Sequence, residues 1–187
     1  MGVMRWKAGT FEKIETNDSS IEKLIHIFKE QNVNGGAVIS CFKVHNENFF
    51  KEIPYERDRY ENFFFFFGKI FNSLDVIQDL EELKIYTSEK YKFQFQYRSA
   101  VMLDGSIASQ IIRGGAYKDF PERMVIAKQL ASHVCQCMFQ DRYEDIIVFE
   151  SHAPWTDWFY DVAWDVTWMV LDSREQKMWF ICATDTD

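Results

Sequence analysis

Trp164, Val166, Trp168 and Val170 alternate with Asp165, Thr167, Met169 and Leu171, the period of two that sends successive side chains to opposite faces of a sheet. Asp172 to Gln176 is polar and turn-like, and Lys177 to Ala183 resumes with Met178, Trp179, Phe180, Ile181 and Cys182. Bulky apolar groups on both faces predict a central strand pair covered on both sides.

The same reading applies upstream. A short strand is expected within Arg5 to Ile14. Ser19-Ser20-Ile21-Glu22 has the form of a capping box, in which the first hydroxyl and the Glu satisfy unpaired amides. Ile21, Leu24, Ile25 and Phe28 then share a stripe, predicting a helix from Ser20 to Gln31 with His26 as a partly covered structural residue beside it. Asn34-Gly35-Gly36 breaks that helix and launches a strand over Ala37 to Val44. From Arg57 to Leu74, the residues Tyr60, Phe63, Phe64, Phe67, Ile70, Phe71 and Leu74 fall at helical spacing. Phe65 and Phe66 are left for the opposite side, to meet a second layer or form a contact patch.

Leu83 to Thr87 reads as a strand, and Tyr91 to Arg98 as another, with aromatics on one face and polar or basic residues on the other. Asp104-Gly105 between apolar runs predicts a hairpin whose second strand is Ser106 to Arg113, ended by Gly114-Gly115. Asp119-Phe120-Pro121-Glu122 starts a helix running to Phe139, with Met124, Ala127, Leu130, Ala131, Val134 and Met138 as its stripe. Asp145 to Glu150 is a strand and Pro154 to Ala163 a short helix. Hairpins outnumber βαβ crossovers. The expectation is a single α+β domain over residues 1–187, its mainly antiparallel sheet packed by about three helices, at 20–31, 57–74 and 120–139.

Size agrees with this, since 187 residues suit one self-sufficient core. Charge narrows the partners. The net charge is −8, and six of those charges arise from Glu150 onward, where eight carboxylates face only Arg174 and Lys177. That disfavours a nucleic-acid backbone and suits a basic protein. The aromatics and bases of 91–98 point to opposite faces, so they do not make a stacking platform. The uninterrupted apolar run Phe63 to Phe67 is far too short to span a bilayer. The amino terminus does not read as a signal peptide, and cysteines 41, 135, 137 and 182 lie in apolar segments. Reduced thiols and a cytoplasmic location are expected. Cys135 and Cys137, two apart on a helix, diverge and cannot share a metal. No nucleotide-binding loop, nucleophile elbow or metal-ligand spacing occurs, and neither a cofactor nor a metal is expected.

The candidate chemistry gathers near the carboxyl end. Asp157, Asp161 and Asp165 are four apart, and Asp185 follows the last strand. Two function classes follow. The leading one is a cytoplasmic, non-catalytic protein-binding module, inhibitor- or immunity-like by analogy of composition. Its contacts would be Trp155, Asp157, Trp158, Asp161, Asp165 and Asp185, with Phe65 and Phe66 as a second patch. The alternative is a hydrolase or metal-dependent enzyme built on those aspartates with His152. A homodimer through the Phe-rich helix is a third arrangement.

Overall fold

The structure is a computed structural model that describes residues 4–55, 60–85 and 93–187, with only the backbone of Tyr60. The alternating segment forms its centre. β5 (Val166–Asp172) and β6 (Lys177–Thr184) pair antiparallel, with Trp168 opposite Ile181 and Val170 opposite Trp179. β1 (Phe11–Ile14), β2 (Gly36–Val44), β3 (Gln96–Arg98) and β4 (Ile146–Ser151) complete a six-stranded antiparallel sheet in the order β1-β2-β6-β5-β4-β3. The α+β expectation holds.

Strand alternation sorts the sheet into two dry faces. Val166, Trp168, Val170, Trp179, Ile181 and Ala183 enter one apolar layer, beneath α1 (Ser19–Gln31), α4 (Leu103–Arg113) and α5 (Met124–Phe139). Met169, Leu171, Met178, Phe180 and Cys182 enter the other, under α2 (Tyr60–Phe71) and α3 (Leu74–Asp79). Each strand of the central pair is therefore apolar at nearly every position because it is buried on both sides.

Local signals place the helices with several corrections. α1 is capped by Asp18, one residue ahead of the expected box, whose carboxylate accepts from the amides of Ser20 at 2.8 Å and Ile21 at 3.4 Å. Ile21, Leu24, Ile27 and Phe28 are buried, while His26 points outward, 3.4 Å from Glu30 one turn on. The Phe-rich segment is helical as expected but stops at Phe71, and α3 follows. Between them the Ser73 hydroxyl donates to the Lys69 carbonyl at 2.8 Å and accepts from the Trp6 amide at 3.1 Å.

The largest correction concerns residues 103–113, which form α4 and not a hairpin. Leu103, Ile107, Ala108 and Ile111 recur at helical spacing and are all buried against α5 and the sheet. Burying that stripe outweighs the turn preference of Asp104-Gly105. Asp104 sits in the first helical turn, accepting from the Ser132 hydroxyl at 2.9 Å and pairing with Lys128 at 2.6 Å. α5 starts at Met124 rather than Asp119, and Met124 is exposed while the rest of its stripe is buried. Pro154 to Ala163 is a bent loop, not a helix. Residues 83–85 form no strand; the remainder of that expected strand, like Tyr91 and Lys92 of the next, lies outside the described residues. Among the described residues, no helix is long and apolar enough to cross a membrane.

Candidate functional site

The loop between β4 and β5 holds most of the candidate residues, and it is built around a buried carboxylate. Asp165 is 1% exposed. One of its oxygens accepts from the amides of Asp161 at 2.7 Å and Val162 at 3.2 Å; the other accepts the Thr184 hydroxyl of β6. Asp161 takes a left-handed backbone, φ 61°, to bring its amide inward. Trp155 lies beneath the loop, stacked on Phe71 with centroids 4.1 Å apart, its indole N–H donating to Thr167 at 2.8 Å. Trp158 is also buried and meets Phe159 edge-on at 5.0 Å.

Asp185 plays the equivalent part at the end of β6. It is fully buried, and its two oxygens accept from the amides of Asn34 at 2.9 Å and Ala116 at 2.7 Å. The approach is so close that a Cβ on Gly115 would stand 2.2 Å from the Gln31 carbonyl oxygen and 2.6 Å from the Asp185 carboxylate. A Cβ on Gly35 would stand 2.0 Å from the Thr184 carbonyl. These two positions require glycine. Asp165 and Asp185 are thus internal fasteners and not wet acids, and Trp155 and Trp158 are core and not contact surface.

What remains outside is a smaller set. Asp157 and Asp161 are exposed on the loop, with Tyr160 half-exposed between them. The Tyr160 hydroxyl donates to the Asn34 carbonyl at 3.3 Å, tying the loop crest to the α1–β2 turn. On α2 the two candidate rings separate: Phe65 is 47% exposed, but Phe66 is 3% exposed, packed 5.2 Å from Phe49. Phe64, expected inside, takes the outer place beside Phe65. The buried set Phe63, Phe66, Phe67, Ile70 and Phe71 is a stripe at i, i+3, i+4, i+7 and i+8.

A polar cluster that the sequence did not reveal lies at the base of the same loop. Glu150 of β4 is buried and accepts from Arg98 Nε at 2.7 Å, the Ser106 hydroxyl at 2.7 Å and His152 Nε2 at 3.2 Å. The His152 bond, joined by those from Ser106 and Arg98, overcomes burial and holds the Glu150 carboxyl at about 2. Glu150 in turn raises His152 against the opposing effect of its burial, and the Asp165 carbonyl, 3.0 Å from Nδ1, adds to that rise. An imidazole flanked by two acceptors is suited to the doubly donating cation. Ser106 donates to Glu150 and accepts from the Trp168 indole at 3.0 Å. Ser106 and His152 both bond the carboxylate, whereas a serine nucleophile needs its base as the hydrogen-bond partner. The cluster is an ion-paired brace joining β3, β4, α4 and the loop. Glu150, near the end of β4, and His152, just past it, are two apart, a spacing visible in sequence; Arg98 and Ser106 are not linked to them by any local spacing.

The thiols are similarly quiet. Burial pushes Cys41, Cys135 and Cys182 up to about 12, and burial with the neighbouring Asp18 charge pushes Cys137 up to about 11. Among the described residues, no group of three or more His, Cys, Asp or Glu is placed to hold a metal ion. No protein-family model matches the chain, and no curated protein matches it.

Proposed function

We propose that the chain is a non-catalytic protein-binding module that offers the β4–β5 loop, with Asp157, Tyr160 and Asp161, to a basic partner. The observation that carries this reading is the anchoring of the loop by Asp165. A buried carboxylate accepting two loop amides and a β6 hydroxyl fixes the backbone from which the exposed acids project. A surface held in place before encounter loses less entropy on binding. Acids beside a tyrosine combine long-range steering of a cation with a ring able to bury area. An inhibitor- or immunity-like role in the cytoplasm is the form of this reading that best suits a chain of net charge −8.

The test places a photo-cross-linking amino acid at Tyr160 and compares that bait with one also carrying Asp157→Lys and Asp161→Lys. The expected result is a basic protein captured by the first bait, lost from the second, and released as salt is raised. A partner held equally by both baits overturns the assignment of this surface.

A further inference from the structure

A second feature lies on the α1–α4–α5 side of the sheet and does not depend on the loop reading. A cleft of about 440 Å³ opens between the Ala100–Met102 turn, α4, α5 and strands β3 to β5. Buried Leu103, Val148 and Trp168 give it an apolar lining, and Met102 stands exposed at its edge. That volume falls in the range of small-molecule sites, which pair an apolar body with a few placed polar groups.

The polar groups here are unevenly used. The carboxylates are heavily engaged: Glu150 accepts from Arg98, Ser106 and His152, and Asp104 from Lys128 and Ser132. The cations have donors to spare. Arg98 carries five N–H groups, of which Nε serves Glu150, one serves the Tyr97 carbonyl at 3.3 Å and one serves Gln96 at 2.9 Å. Lys128 carries three, of which Asp104 takes one. Both cationic side chains are about half exposed, so their remaining donors are accessible. Spare donors on both cations, beside carboxylates that already have partners, leave room for a further acceptor, and an anion is the strongest one. The two cations are already balanced by two carboxylates, so a single negative charge is accommodated more readily than two.

We propose that this cleft binds a small amphipathic monoanion, a carboxylate whose aliphatic or aromatic body lies against Leu103, Val148 and Trp168 and whose oxygens are received by Lys128 and Arg98.

The experiment follows the ¹³C-methyl resonance of Met102, assigned with Met102→Leu, as 4-phenylbutyrate, its neutral alcohol 4-phenylbutanol and the dianionic 3-phenylpropyl phosphate are titrated in turn. The expected result is a saturable shift at Met102 with the carboxylate bound about five-fold more tightly than the alcohol, the gain of one charge-assisted hydrogen bond at a half-exposed site. Lys128→Gln should remove most of that five-fold preference, leave the alcohol unchanged and keep the wild-type melting profile; Lys128→Arg should restore the preference. No saturable shift at Met102 overturns the site. Equal binding of acid and alcohol overturns the anionic class, and tighter binding of the phosphate ester overturns the single charge. If Lys128→Gln alters the melting profile, the three-probe comparison on the wild-type chain decides alone.

Discussion

The two layers that cover the sheet do the same job with different side chains. The α1–α4–α5 layer is largely aliphatic, its helices setting Leu24, Ile107, Ile111, Leu130 and Val134 into regular stripes. The α2–α3 layer is aromatic. Phe67 alone lies 4.2 Å from Phe95 and 5.2 Å from Phe149, and Phe71 bridges Phe95, Trp155 and Phe180. The difference follows from what each layer has to cover with. Three full helices interlock through ridges and grooves, and branched aliphatic side chains fill the seams. One full helix, the short α3 and irregular segments leave uneven gaps, which large rings in tilted and edge-on pairs fill, each pair worth about 0.5–1.5 kcal/mol beyond its buried area. The polar cleft chemistry sits at the margin of the aliphatic layer.

That contrast can be broken most directly at its two centres. Phe67→Ala should cost about 3–5 kcal/mol in urea unfolding, and Leu24→Ala about 3. If Leu24→Ala costs more than Phe67→Ala, the ring pairs add nothing beyond their buried area. Next in size is the acid response of the Glu150 brace. Its folded pKa of about 2 lies below its ordinary 4.5, so its contribution, roughly 3 kcal/mol, is present above pH 4.5 and lost as pH falls through about 2. His152 runs the opposite way: its raised pKa gives stability that is complete below 6.5 and lost as pH rises through the folded value. Unfolding midpoints followed against pH should show Glu150→Gln flattening the acid limb, and an unchanged limb would remove the brace from the account.

Asp165→Asn should cost about 1–3 kcal/mol, since an amide offers a donor where the carboxylate accepted. Amide exchange at Asp161 and Val162 should quicken in that variant while β5 and β6 stay protected. The smallest effect sharpens the aromatic face: Phe65→Ser should change stability by no more than about 0.5 kcal/mol, whereas its neighbour Phe66→Ser should cost several times that. Similar melts for the two would erase the inner and outer faces of α2.

The legible parts of the sequence were those with long periodicity. β5 and β6, β2, β4 and the bodies of α1 and α5 follow from alternation or stripes that burial on the sheet then enforces. Residues 103–113 misled because Asp104-Gly105 is a strong turn signal at short range, while the stripe Leu103, Ile107, Ile111 gains its meaning only once α5 lies beside it. The site was less legible for a similar reason. Asp157 and Asp161 face outward as expected, but Asp165 turns in because a left-handed residue at 161 folds the loop back over it. Glu150 gathers Arg98 from 52 residues away and Ser106 from 44 residues away, and no spacing along the chain announces such partners.

The pairing of β2 with β6 sets Gly36 opposite Thr184 and Lys43 opposite Lys177, so the sheet is sewn together across most of the chain's length. The β5–β6 hairpin needs only a short turn, but this seam must overcome a large loop-closure entropy before its ladder returns anything. Refolding should therefore be governed by the docking of the β1–β2 ribbon onto an already formed hairpin. Until that ribbon arrives, the edge of β6 presents a row of unpaired N–H and C=O groups between two uncovered apolar faces, the arrangement most open to mispairing with another strand.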